Sequence, residues 1–156
     1  MPFATLTVQP KAFFMNTLKE LFSIAQQTRF TYASAFYLLN DARLKNKVAQ
    51  IIRDRHSLEE QLEQLLTEKI DNRAAFTPLH QHSIKKHKGD ESVIEQCTEE
   101  DSHLMEAINK VMSTHEFKMN HWLFLQGQIK RITNDIKELE RELTRNNDSN
   151  FSPGYS

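Results

Sequence analysis

Apolar residues recur along this chain at spacings of three, four and seven in four long segments, the pattern of helices that each bury one face. Phe14, Leu18, Leu21, Ala25, Tyr32, Ala35 and Leu39 predict a first helix over 12–40. Asn40-Asp41 then interrupts the pattern, and Asp41 is placed to cap a second helix over 42–71, because its carboxylate can accept a backbone N–H of the first turn. The second seam is Leu44, Val48, Ile51, Leu58, Leu62 and Leu65, and the flank carrying Glu59, Glu60, Glu63 and Glu68 reads as a solvated face. A third seam, Val93 or Ile94 with Cys97, Leu104, Ile108 and Val111, predicts a helix over 91–113. The fourth runs through Trp122, Leu125, Ile129, Ile132, Ile136, Leu139 and Leu143 and predicts a helix over 115–145.

Elsewhere the periodicity fades. Residues 1–11 read as an N-terminal arm and 72–90, which contain Pro78, as a crossover connection. Residues 146–156, rich in Asn and Ser, read as a disordered tail. Helices of roughly 20 to 30 residues, rising ~1.5 Å per residue, match one another in length and pack at shallow angles. The fold expected is all-α, an antiparallel four-helix bundle with a mid-chain crossover, the ferritin-like connection; a link of this length also permits an up-down-up-down order.

Composition narrows the classes of function. The chain has 156 residues, three glycines and four prolines, with no proline between Lys11 and Thr77, so long helices are uninterrupted and one domain buries a sizeable core. Lys and Arg (20) nearly balance Asp and Glu (21), and a net charge of −1 supplies no global field for nucleic acid. No apolar run approaches membrane-spanning length, no secretory leader is recognisable, and the single cysteine, Cys97, sits at a seam position as a small core residue. A cytoplasmic setting without a membrane is expected.

Several short motifs resemble a known family. Val93-Ile94-Glu95-Gln96-Cys97 through Asp101 to Met105 and Ala107 is similar to the third helix of the bacterial ferritin-like family called domain of unknown function 2383, with its Cys and the acidic residue four further on. Asn40-Asp41-Ala42-Arg43-Leu44 through Arg53-Asp54-Arg55 to Leu62 resembles that family's entry to its second helix, and Asn134-Asp135-Ile136 a stretch near its end. The resemblance covers roughly residues 14–140 and implies a rubrerythrin-like four-helix bundle. The family's first helix tends to carry an Asp, a Gly and a later Glu, whereas this chain has no Asp or Glu between Leu21 and Asn40.

A di-iron carboxylate centre draws one Glu from each of two helices and a Glu-x-x-His pair from each of the others. The chain offers one such pair, Glu100 and His103, with Glu100 flanking the seam and His103 pointing away from it. The two charged exceptions on the seams are more informative. Arg55 lies seven after Val48 and seven before Leu62, and Asp101 lies midway between Ile94 and Ile108. A charge buried alone is very costly, so Arg55 and Asp101 are expected to form a core ion pair, with Thr28 or Tyr32 for the remaining hydrogen bonds; a slight helix rotation would instead leave them at the solvent edge. Such a pair would occupy the space where ferritin-like relatives hold metal.

The remaining features carry less chemistry. His80, His82 and His87 read as a solvated loop, lacking Cys or carboxylate partners at fixed spacing. His82-Ser83-Ile84-Lys85 resembles the His-x-x-Lys-Gly of histidine phosphotransfer bundles, but Lys86 stands at the glycine position and the stretch lies in the link. Lys85 to Lys88 are too local for a nucleic-acid groove. Trp122, Phe124, Phe13, Phe14 and Phe22 exceed what one seam needs and either cap the bundle's end or form a subunit interface. The expectation is a non-enzymatic bundle without a cofactor, acting through a protein partner or as a homo-oligomer. The alternative is an atypical iron or manganese protein of the oxidative-stress kind, using Glu100, Asp101, His103 and His56.

Overall fold

The computed structural model describes residues 10–69, 84, 89–114 and 118–150, and these form an all-α four-helix bundle. Helix α1 spans Pro10–Leu38, α2 Ala42–Lys69, α3 Asp90–Met112 and α4 Met119–Asn150. Among the described residues no helix is long and apolar enough to cross a membrane.

Local chemistry sets the helix ends. Pro10 opens α1, where a missing N–H costs nothing and the fixed φ suits the first turn. Asp41 caps α2 as its sequence position predicts: its Oδ2 accepts the Leu44 N–H at 2.9 Å, and its carbonyl the Lys45 N–H at 3.0 Å. Two boundaries differ from the periodicity. α1 begins two residues before 12, and α4 begins at Met119 rather than 115 but continues to Asn150, into the stretch expected to be disordered. Once a helix is nucleated, each added Asn or Ser costs only a few tenths of a kcal/mol against Ala, about 0.5, so weak propensity alone does not end it. Residues 1–9 and 151–156 lie outside the described residues.

The direction of α3 resolves the two connectivities that the sequence leaves open. Asp90, the first residue of α3, accepts the backbone N–H groups of Asn40 and Asp41 at 2.8 and 2.9 Å, so α3 starts at the α1–α2 turn. Near its other end, Lys110 reaches Glu20 early in α1 at 3.4 Å. α3 therefore runs antiparallel to α1 and parallel to α2, and Lys69 and Gly89 stand at opposite ends of the bundle; of the crossover expected over 72–90, residues 72–83 and 85–88 lie outside the described residues. α4 runs antiparallel to α2, with Arg131 against Asp54 and Lys47 against Asp135. α1 packs closely between α2 and α3, and α4 closes the far side more lightly against the same two helices. Gly89 has φ of 103°, a left-handed conformation that an L side chain resists, and this swings the chain so that Asp90 meets the turn.

Two apolar compartments fill the bundle. One, at the α1–α2 turn, holds Tyr32, Ala35, Leu39, Leu44, Val48, Ile51, Val93, Ile94, Cys97 and Leu139. The other holds the larger set from Phe14 and Leu18 to Leu125 and Ile132, with Leu58, Leu62, Leu65 and Leu66 from α2 and Leu104 and Ile108 from α3. Each fully buried Leu or Ile contributes about 1.5–3 kcal/mol by leaving water. The seam of α4 is rotated from its expected position: Leu125, Ile132 and Leu139 are buried, whereas Trp122, Ile129, Ile136 and Leu143 are only half-buried, and Asp135 is turned inward. The solvated flank assigned to α2 also needs correction, because Glu59 is buried and both its carboxylate oxygens receive the Arg29 guanidinium of α1.

Candidate functional site

Between the two compartments each helix places a polar side chain at a core position: Thr28 follows Ala25, Arg55 precedes Leu58, Asp101 precedes Leu104, and Asp135 follows Ile132. Arg55 and Asp101 are both 0% exposed. The Arg55 guanidinium donates from Nε to Asp101 Oδ1 and from Nη2 to Asp101 Oδ2, each at 3.0 Å, a bidentate fork. Its Nη1 donates to Asp135 Oδ2 at 3.1 Å. The Tyr32 hydroxyl donates to Asp101 Oδ2, and the Tyr32 ring lies under the guanidinium, 5.8 Å from Cζ to the ring centre. Of the two α1 residues offered as partners, Tyr32 serves; Thr28 spends its hydroxyl on the Ile24 carbonyl at 2.8 Å.

A second cation closes the layer toward solvent. Lys47, mostly buried, sits 3.3 Å from Asp135 Oδ1 and also pairs with Glu138 at the surface. Two cations, Arg55 and Lys47, thus meet two buried carboxylates, Asp101 and Asp135, and the layer is neutral without Glu138. Neutrality and full hydrogen bonding are what make buried charge tolerable.

The electrostatics hold the protons of Arg55, Tyr32 and Cys97 in place. For Arg55 burial is the largest single influence and lowers the pKa, but the charge and hydrogen bonds of Asp101 with the charges of Tyr32 and Asp135 together outweigh it and the net shift is upward, so the guanidinium stays charged. Burial raises the Asp101 carboxyl, opposed by the charge and hydrogen bonds of Arg55 and by the Tyr32 hydroxyl. Tyr32 is pushed well up by burial and then by the Asp101 charge, which keeps its proton available to donate. Burial, reinforced by Asp101 and Glu100, raises the Cys97 thiol as well, so it is a core thiol and a poor nucleophile.

The residues proposed from sequence as metal ligands do not converge. Asp101 faces the interior, Glu100 is half-buried beside it in sequence, and His103 is exposed. His56 is also exposed and pairs along α2 with Glu60, Nε2 to Oε1, at 3.3 Å. Among the described residues no group of three or more His, Cys, Asp or Glu side chains is placed to hold a metal ion. His80, His82, His87 and the lysines of 85–88 lie outside the described residues.

Sequence reasoning missed the role of Asp135 as second acceptor for Arg55. The signal was present: Asp135 stands three after Ile132 and four before Leu139, as Asp101 stands four after Cys97 and three before Leu104, both between seam positions seven apart. Chemically the layer is a lock. A guanidinium can neither accept a proton nor ligate a metal, and the carboxylates that could do either are held by it. The chain matches no protein-family model, no curated protein and no solved structure.

Proposed function

We propose that this protein is a non-enzymatic, metal-free bundle of the ferritin-like kind that acts through protein interaction in the cytoplasm. One observation carries the reading: the guanidinium of Arg55 lies fully buried between Asp101 and Asp135, amid all four helices, where a ferritin-like relative would hold its metal. A fixed cation there neutralises the carboxylates that a metal would need and repels a second cation. The exposed placement of His56 and His103 supports the same reading, since neither imidazole can join Asp101 without leaving its helix face.

The test is elemental analysis of protein purified without chelators, reported as iron, manganese and zinc per chain, before and after incubation with ferrous iron. The expected result is no stoichiometric metal in either sample. About one or two metals per chain, lost on Asp101→Ala, would overturn the reading and restore a metal-dependent ferritin-like activity.

A further inference from the structure

α4 is seated differently from the other three helices. α1 lies packed between α2 and α3, and Asp90 ties the start of α3 to the α1–α2 turn through two backbone N–H groups. α4 closes the far side lightly. Of its described side chains only Leu125, Ile132, Asp135 and Leu139 are buried, four along a 32-residue helix, whereas α3 buries nine in 23 residues, so α4 has less apolar burial per turn to hold it. Its apolar column Trp122, Ile129, Ile136 and Leu143 stays half-buried. Near its N-terminus, beside the exposed Met119 and Leu123, a groove of about 210 Å³ opens between Leu62 and Leu65 of α2 and Phe124 and Leu125 of α4. Gln128 Oε1 is closed off from solvent without a hydrogen-bond partner among the described residues. That penalises the docked helix and not an undocked one, in which water supplies the bond.

The Arg55 layer divides along the same line. With α4 away, Arg55 keeps the bidentate fork to Asp101 through Nε and Nη2, and Asp101 keeps the Tyr32 hydroxyl. Only Arg55 Nη1 and Lys47 lose their partners, and both then face water. Loss of α3 would instead strip the fork, and loss of α2 would remove the guanidinium itself. Loss of α1 would take Tyr32 from Asp101 and Arg29 from the buried Glu59. α4 is therefore the helix whose departure leaves the remaining core charges paired. Its other tie to α2, Arg131 to Asp54 at 3.4 Å, lies at the surface, where an ion pair holds little.

We propose that α4 is a detachable cover, which opens as a unit from a three-helix remainder of α1, α2 and α3 with Asp135 as its latch. Opening bares the groove between α2 and α3 that Leu58, Leu62 and Leu104 line. While closed, α4 occupies the place that any other helix would need there, so the population of the open form limits access to the interior. The device goes beyond the interaction reading above and does not rest on it.

Native-state hydrogen exchange of the full chain, followed amide by amide in low urea, tests it. In the natural sequence the amides of Ile132 and Leu139 should exchange at least about tenfold faster than those of Leu21, Leu58 and Leu104, through an opening less dependent on urea than global unfolding. Arg29→Ala separates the two openings, because the pair of Arg29 and Glu59 joins α1 to α2 and survives the departure of α4. It should speed Leu21, Leu58 and Leu104 about tenfold or more while leaving Ile132 and Leu139 unchanged. Asp135→Ala weakens only the closed form and should speed both sets alike, by roughly 10- to 100-fold. Ile132 and Leu139 as slow as the other three in the natural sequence, a comparison that needs no variant, overturn the proposal. So does acceleration of Ile132 and Leu139 in Arg29→Ala, or their indifference to Asp135→Ala.

Discussion

The two ends of the bundle are built from the same heptad pattern and finished differently. At the α1–α2 turn, three helices are tied to one another by backbone hydrogen bonds to Asp90, and the compartment beneath holds Tyr32, Ala35, Cys97 and the β-branched Val48, Ile51, Val93 and Ile94 beside its leucines. At the opposite end, leucines dominate a buried compartment that also holds Phe14, Ala25, Ala107, Ile108, Val111 and Ile132, phenylalanines and methionines pack half-buried against it, and the surface keeps Phe13, Met119 and Leu123 in water. Between them lies the Arg55 layer. The comparison teaches that burial alone does not close an end. Satisfied polar groups fix one end, while the other keeps Phe13, Met119 and Leu123 exposed.

The layer that divides the ends should respond most strongly. Asp101→Ala strips the bidentate fork and leaves Arg55 with Asp135 alone, and urea unfolding should show a loss of about 3–5 kcal/mol. Replacing Arg55 and Asp101 together by Met and Leu should recover most of that loss, since Asp135 still has Lys47; equal and additive losses would show that the two residues are not coupled. Next comes the closed end. Asp90→Ala removes the acceptor for two backbone N–H groups, an expected cost of about 2–3 kcal/mol, with faster hydrogen exchange at Asn40 and Asp41 than at amides near Leu62. If exchange rose equally at both ends, the ends would not be separable units.

The smallest effects are those of pH, and they have opposite signs at the layer and at the surface. Asp101 is raised by burial above its unfolded value of about 3.9, so the folded chain holds that proton more tightly. Its contribution is therefore fully present at low pH and is lost as pH rises through the folded value. Glu138 is lowered, chiefly by its hydrogen bond to Lys47, so its contribution is present above the unfolded value and is lost as pH falls through the folded one. Urea midpoints measured from acid to neutral pH should accordingly steepen toward acid in Asp101→Asn, which removes the favourable acid term, and flatten slightly in Glu138→Gln. Identical profiles for both variants would contradict the assigned shifts.

Much of the interior could be read from the chain. The seams of α1, α2 and α3 lie where the spacing of Leu18, Leu58 and Leu104 places them, and Arg55 and Asp101 meet because two isolated charges on apolar stripes have no cheaper arrangement. The errors share one cause. Periodicity fixes a face to within one flanking position, so a helix with two adjacent apolar columns, as in α4, is ambiguous until its neighbours are known. Asp135 turned that helix toward Arg55, and Arg29 drew Glu59 out of an otherwise solvated flank. Neither partner is near in sequence, so no local pattern could identify it.

By itself the sequence determined that four amphipathic helices form, which residues line the first three, and that Arg55 and Asp101 stand on apolar seams, because these depend on period; whether the two charges are buried or at the solvent edge it left open. Tertiary structure alone decided the rest. The direction of α3 depends on Asp90 reaching backbone N–H groups some fifty positions earlier, 50 residues away at Asn40 and 49 at Asp41. The completed layer depends on side chains from every helix arriving at one height, and the groove beside Met119 and Leu123 exists only once α2 and α4 stand next to each other.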